Sequence, residues 1–148
     1  MIPPERFGGI FIGNYFVMFL VCIIQIRLTG GIMMEYRTLG KTGLKISRMG
    51  FGGIPIQKID EEGTKKLLHA MAEKGINYID SARGYTVSEQ YIGYGLEGIR
   101  DKFVLATKSM SRTKDAMAAD IETSLGNFRT DYIDLYQVHN PSMEQLDQ

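Results

Sequence analysis

The sequence predicts an α/β fold built from repeated strand–helix units. Short apolar runs alternate with amphipathic helical stretches from Glu35 to the end of the chain. The runs end near Asp80, Lys108 and His139, a spacing of about 30 residues, which is the length of one βα unit. The intervening stretches carry helix start and stop signals of their own. Alternation of this kind implies a parallel sheet with helices on its faces. A (β/α)₈ barrel and a doubly wound sheet both satisfy it. The doubly wound form with a dinucleotide site needs G-x-G-x-x-G between its first strand and helix. "GFGGIPI" (Gly50–Ile56) holds a G-x-G, but the third glycine is missing and no helix opens there, which weakens that alternative.

Taken in order, "YRTLGKTGLKIS" (Tyr36–Ser47) reads as a β-hairpin turning on the glycines of "GKTG". "RMGFGGIPI" (Arg48–Ile56) reads as a short strand ending in Gly52-Gly53. "DEEGTKKLLHAMAEKG" (Asp60–Gly75) is a helix capped by Asp60 and stopped by Gly75, with Leu67, Leu68 and Met71 on its apolar face. His69 in this helix has no acid or cysteine at a ligand spacing, so it reads as a packing or solvated residue. "INYID" is a strand, and "SEQYIGYGLEGI" a helix with Ser88 as candidate N-cap. "KFVLATK" is a strand. "RTKDAMAADIETSLGNF" is a helix with Ala116, Ala119, Ile121 and Leu125 toward one side. "DYIDLYQVHN" is a strand, and "PSMEQLDQ" begins another helix.

Composition narrows the function classes. The chain has 148 residues, room for one ordinary domain. Its 17 basic and 17 acidic residues cancel, so it lacks the basic excess of a nucleic-acid binder. An apolar content of 44% fits a globular core. Cys22 is the one cysteine, so there is no internal disulfide and no CxxC metal site, which suits a reducing compartment.

Residues 1–33 differ from the rest. "GGIFIGNYFVMFLVCIIQIRL" (Gly8–Leu28) is nearly uncharged, with an apolar core of roughly 15 to 17 residues against the ~20 of a spanning helix. A secretory signal wants a basic flank before the apolar run and a small-residue cleavage site after it, and both are missing. Three readings stand: translation that starts properly at Met33 or Met34, a membrane anchor through residues 8–28, or a signal peptide. If the segment spans, Arg27, Arg37, Lys41 and Lys45 beyond it would keep residues 34–148 in the cytoplasm.

Four polar groups fall at or just past the ends of successive strands: Asp80 and Tyr85, then Lys108, then His139. In a barrel the C-terminal strand ends are where active sites are built. Each residue alone has a bland explanation as a cap, a packing group or a solvated charge. All four in one topological position make a chemical set. A tyrosine, with its ordinary pKa of about 10, exchanges protons poorly at neutral pH, and a neighbouring ammonium helps it by stabilising phenolate. A carboxylate holds that ammonium in place. A histidine can donate a hydrogen bond to a carbonyl oxygen and polarise it. The set suits reduction of a carbonyl, with hydride from a cofactor and a proton from the tyrosine.

These residues lie in "LGKTGLKISRMGFGG", "GINYIDSARGYTVSEQYIG", "FVLATKS" and "TDYIDLYQVHN", and with them the sequence resembles the aldo-keto reductase family over residues 34–141. The resemblance implies a (β/α)₈ barrel whose bottom is closed by an N-terminal hairpin. It implies NADPH-dependent reduction of aldehydes and ketones without metal, in the cytoplasm. Asp80, Tyr85, Lys108 and His139 match the family's catalytic tetrad: Tyr85 as general acid, Lys108 and Asp80 tuning it, and His139 orienting the substrate. Gly52, Gly53 and Asp80 match positions near the nicotinamide end of the cofactor, and Asn140 lines the substrate pocket.

Three features depart from the family pattern. Many members have glycine after the tyrosine, where this chain has Thr86. "GFGGIPIQ" and "DSARGYTVSEQYIG" look most like bacterial members with an appended iron–sulfur module, which one cysteine cannot build. The family barrel has eight units and this sequence supplies four strands, so the expectation is the N-terminal half of the barrel, truncated after its fourth strand. Phosphate and adenosine contacts would then fall on the other half. Open strand edges would seek that half or a second copy. An alternative within the family is a non-catalytic binding or regulatory module, as in potassium-channel β-subunits, with the apolar segment as a route to a membrane.

Overall fold

The computed structural model describes residues 33–146. The expectations for the apolar segment 8–28 and for the start of translation lie outside the described residues. Among the described residues no helix is long and apolar enough to cross a membrane.

The hairpin forms as expected. β1 (Tyr36–Thr38) and β2 (Lys45–Ser47) pair antiparallel, with Tyr36 opposite Ser47. Gly40 and Gly43, at φ 52° and 78°, take left-handed conformations that glycine adopts without penalty. Asn77 fastens the hairpin to the start of the sheet. Its Oδ1 accepts from the Ser47 backbone N–H at 2.6 Å, and its Nδ2 donates to the Lys45 carbonyl at 2.9 Å. The Tyr36 hydroxyl donates to the Gly75 carbonyl at 2.8 Å. The hairpin therefore lies at the N-terminal ends of the strands, opposite the chemistry.

The main sheet has four parallel strands in the order β3 (Phe51–Gly52), β4 (Tyr78–Asp80), β5 (Val104–Ser109) and β6 (Leu135–Val138). Every strand neighbours its successor. A doubly wound sheet reverses its order at a switch point, so this sheet is of the barrel type. Register separates the two faces. Ile79 stands opposite Leu105, and Thr107 opposite Tyr136, toward the helices. Asp80 stands opposite Ala106, and Lys108 opposite Gln137, on the other face.

α1 (Glu61–Glu73) starts where Asp60 accepts from the Gly63 N–H at 2.7 Å, and Gly75 at φ 75° turns the chain out of it. Its inward residues are Thr64, Leu68 and Met71, at helical spacing. α2 (Ser88–Gly95) and α3 (Lys114–Phe128) follow, and a last turn, α4 (Met143–Leu146), ends the described chain. The core joins Leu68 and Met71 of α1, Ile92 of α2, Phe128 of α3, and Ile79 and Leu105 of the sheet. α2 and α3 meet closely at Gly93, where a Cβ would lie 2.3 Å from the Asn127 carbonyl oxygen.

Several expectations need correction. The strand ends at Gly52 as expected, but where no helix was expected a short 3₁₀ helix, Ile54–Lys58, opens after Gly53, because Pro55 at its start fixes φ and withholds an N–H from any ladder. Ser88 is not the cap of α2. It lies in the first turn, fully buried, and its hydroxyl donates to the Gly53 carbonyl at 2.8 Å. α2 stops at Gly95, short of Ile99. Ala116 and Ala119 face solvent, and α3 turns Ser124 and Phe128 inward instead. The reason is that Ser124 donates to the buried Glu89 and Phe128 packs into the core. β6 covers only Leu135–Val138 of the ten residues expected, and His139 follows its last residue. His69 is half-buried, and its Nε2 is buried without a hydrogen-bond partner.

Candidate active site

β4 and β5 deliver a carboxylate and an ammonium to one face because their register places Asp80 opposite Ala106, two residues before Lys108. Lys108 Nζ donates to Asp80 Oδ2 at 2.9 Å and to the Ser81 carbonyl at 2.6 Å. Gln137 Nε2 donates to the second oxygen, Asp80 Oδ1, at 3.1 Å. The ion pair is thus fixed from three strands. Its Lys108 side chain is largely buried, so the charge sits where water screens it little.

Tyr85 lies in the loop between β4 and α2. Lys108 Nζ stands 5.3 Å from the centre of its ring. The ring meets His139 edge to face, with centroids 6.0 Å apart and planes at 89°. The His139 backbone is tied down by its N–H to the Ser109 carbonyl at 2.8 Å and by Arg112 Nη2 to its own carbonyl at 2.7 Å. Its Nδ1 is buried and has no protein partner. All four expected residues are therefore brought together at the C-terminal ends of β4, β5 and β6.

Gly52 ends β3 beside Asp80, and a Cβ there would meet nothing within 4 Å. This leaves bare backbone next to the carboxylate, a surface that a flat ring can approach. Gly53 has a packing reason to be glycine. A Cβ at Gly53 would lie 2.7 Å from Ser88 Oγ and 2.8 Å from Ser81 Oγ. Its N–H donates to the Asp80 carbonyl at 2.8 Å, which sets the carbonyl end of the acid. Asn140 is exposed and takes a left-handed φ of 47°, which asparagine tolerates.

Thr86 adopts φ 39°, an unusual backbone for a β-branched residue, and this is the position where glycine is common in the resembled family. Its hydroxyl recovers a hydrogen bond to Gln57 Oε1 at 2.8 Å. Thr86→Gly is expected to raise stability by about 1 kcal/mol, because released strain exceeds the added chain entropy. Urea denaturation checks it. A loss of stability would mean that the Gln57 bond outweighs the strain.

Sequence reasoning missed two groups. Gln137 shares a strand face with Lys108 by register, and its place two residues before His139 was a usable signal. Glu89 was invisible, because an acid in a first helical turn ordinarily faces water. Here it is buried, only 2% exposed. Its Oε1 accepts from Thr107 Oγ1 at 2.8 Å and Ser124 Oγ at 2.9 Å. Its Oε2 accepts from Arg83 Nη1 and Asn127 Nδ2, both at 3.0 Å. Arg83 also faces Asp120, Nε to Oδ1, at 3.7 Å. Asp120 accepts from the hydroxyls of Ser109 and Ser111. Those two hydroxyls, with help from Arg83, hold its carboxyl below the usual range. Burial opposes the charge on Arg83, yet Glu89 and Asp120 outweigh it and hold the guanidinium above its ordinary value. On the opposite face, burial and then Asp80 push the Tyr78 phenol up.

Comparison with known proteins gives this constellation a context. The model of the aldo/keto reductase family matches residues 48–145, the stretch that carries all four residues. The chain belongs to the aldo/keto reductase family. It is 35% identical over 127 residues to the aldo-keto reductase YhdN of Bacillus subtilis, covering 73% of this chain and 38% of that protein. The holo form of an aldo-keto reductase from Bacillus halodurans superposes with a TM-score of 0.70 at 33% identity, over 75% of this chain and 42% of the other. A Klebsiella pneumoniae aldo-keto reductase solved in complex with NADPH superposes with a TM-score of 0.61 at 28% identity, over 66% of this chain and 36% of the other. The chain thus spans about two fifths of the curated relatives it matches. Its sheet is half of the (β/α)₈ barrel of aldo-keto reductases, with the N-terminal hairpin below it.

Proposed function

We propose that this chain carries the catalytic half of an NADPH-dependent reductase of aldehydes or ketones. The observation that carries the proposal is the Asp80–Lys108 ion pair beside Tyr85, with His139 against the same ring. Tyr85 donates the proton to the developing alkoxide. Lys108 stabilises the phenolate left behind, and Asp80, steadied by Gln137, keeps the ammonium in place. The imidazole of His139 directs the carbonyl oxygen toward the phenol. Gly52 and Asp80 would hold the nicotinamide end of the cofactor, which supplies hydride when bound. In barrels of this kind phosphate sites are built on the loops after the seventh and eighth strands. The 148-residue chain alone is therefore expected to bind NADPH weakly or not at all. A micromolar dissociation constant by fluorescence titration would overturn that expectation.

The decisive experiment joins residues 34–145 to the remaining barrel units of the Bacillus subtilis relative. NADPH consumption is then followed with simple aldehydes and ketones. Turnover that depends on Tyr85 supports reduction. A folded, NADPH-binding chimera without turnover would favour the non-catalytic alternative.

A further inference from the structure

We infer that Arg83 and Glu89 form a positioning device for Tyr85, a role that rests on the carbonyl-reductase reading of the site. Tyr85 sits in the loop from Ser81 to Val87, and among the described residues its hydroxyl has no hydrogen-bond partner, so its side chain is held by ring contacts alone. The loop is clamped on both sides of the tyrosine. Ahead of it, the Arg83 N–H donates to the Lys108 carbonyl at 3.0 Å. Behind it, the Ser88 N–H donates to the Tyr85 carbonyl at 2.7 Å. The same two points are joined through side chains, because Arg83 Nη1 reaches Glu89, the residue after Ser88, at 3.0 Å. The Arg83–Glu89 pair therefore closes a staple across the loop, with Tyr85 inside it.

The far end of the staple is anchored from several elements. Glu89 takes four donors, from the loop, from β5 through Thr107, and from α3 through Ser124 and Asn127. Four bonds fill the usual acceptor sites of a carboxylate. Thr107 adjoins Lys108, and Ser109 on its other side bonds Asp120, which faces Arg83. One network thus holds both the strand that aims the ammonium and the loop that aims the phenol. The Glu89 end is fully satisfied, which specifies one arrangement there, whereas the buried Arg83 Nε makes no hydrogen bond and only faces Asp120.

Glu89→Gln tests this with little change of shape. The amide can turn its NH₂ to the hydroxyls of Thr107 and Ser124, which can accept, and its oxygen to Arg83 and Asn127. What is lost is the charge that holds Arg83. The readout is the through-space NMR cross-peak between the Tyr85 and His139 rings in the 148-residue chain. We expect it in the wild type and expect its loss in Glu89→Gln that retains native circular dichroism. Leu68→Val, a core change remote from the loop, should keep it. If Glu89→Gln does not fold, Arg83→Lys is read in the same way, since an ammonium keeps the charge but cannot span both carboxylates. A cross-peak unchanged in the folded variant, or absent from the folded wild type, overturns the inference. Because no turnover is measured, failure here leaves the proposed reaction standing, and failure of the reaction leaves this contact standing.

Discussion

Tyr85→Phe, in a barrel completed by a relative's remaining units, is expected to abolish carbonyl reduction and leave NADPH binding largely intact. The change removes one hydroxyl and keeps the ring. The edge-to-face contact with His139 and the position of the ring 5.3 Å from Lys108 Nζ are both ring properties, so the local packing survives. What disappears is the proton donor. A positioned general acid contributes roughly 10²–10⁴-fold to rate, and the loss should reach the upper part of that range because the residue's neighbours leave no substitute. Lys108 is occupied by Asp80 and the Ser81 carbonyl. His139 is expected to orient the carbonyl and is held by its backbone on both sides. Steady-state kinetics with a simple aldehyde, alongside cofactor titration, separates the cases. Unchanged turnover would sink the proton-donor assignment. Lost cofactor binding with normal turnover at saturation would move Tyr85 from chemistry to cofactor positioning.

The site was readable from the sequence because it depends on strand ends, and strand ends are marked by where an apolar run meets a polar residue. Asp80 and Lys108 were found in this way. The repeat length implies that their strands pair parallel, and the register that sets Asp80 opposite Ala106 then brings the two charges together. The hairpin and α1 were legible for a related reason: glycines and an Asp cap declare themselves locally. Other features were hidden because their causes are long-range. Glu89 looks like an ordinary first-turn acid until Thr107, Ser124 and Asn127 converge on it from other elements. Ala116 and Ala119 were read as sharing one side of α3, yet the side that meets the sheet carries Asp120, which accepts from Ser109 and Ser111, and Ser124, which donates to Glu89. Ser88 has the chemistry of a cap and spends it on the Gly53 carbonyl, a partner 35 residues away. Polar residues reveal a cap when the partner is near in sequence, and they mislead when it is far.

That long-range network predicts the largest loss of stability in the fold. Glu89→Leu should destabilise the chain by about 3–5 kcal/mol, the range for removing one partner of a buried ion pair. Leucine is close in volume, so cavity formation is a minor part. The cost comes from what remains. Arg83 keeps its charge in a partly buried position with only Asp120 near it, at 3.7 Å. Thr107, Ser124 and Asn127 keep donors with no acceptor at Glu89's place. If this account is right, the penalty belongs to the stranded charge more than to the lost bonds. Arg83→Met in the Glu89→Leu background should then recover part of the stability, because a neutral side chain no longer needs a counter-charge. Denaturant unfolding of the two single variants and the double variant measures the coupling directly. A strictly additive double variant would show that the pair does not act as a unit. It would place the cost on the hydroxyl and amide donors, which neither arginine nor methionine can satisfy.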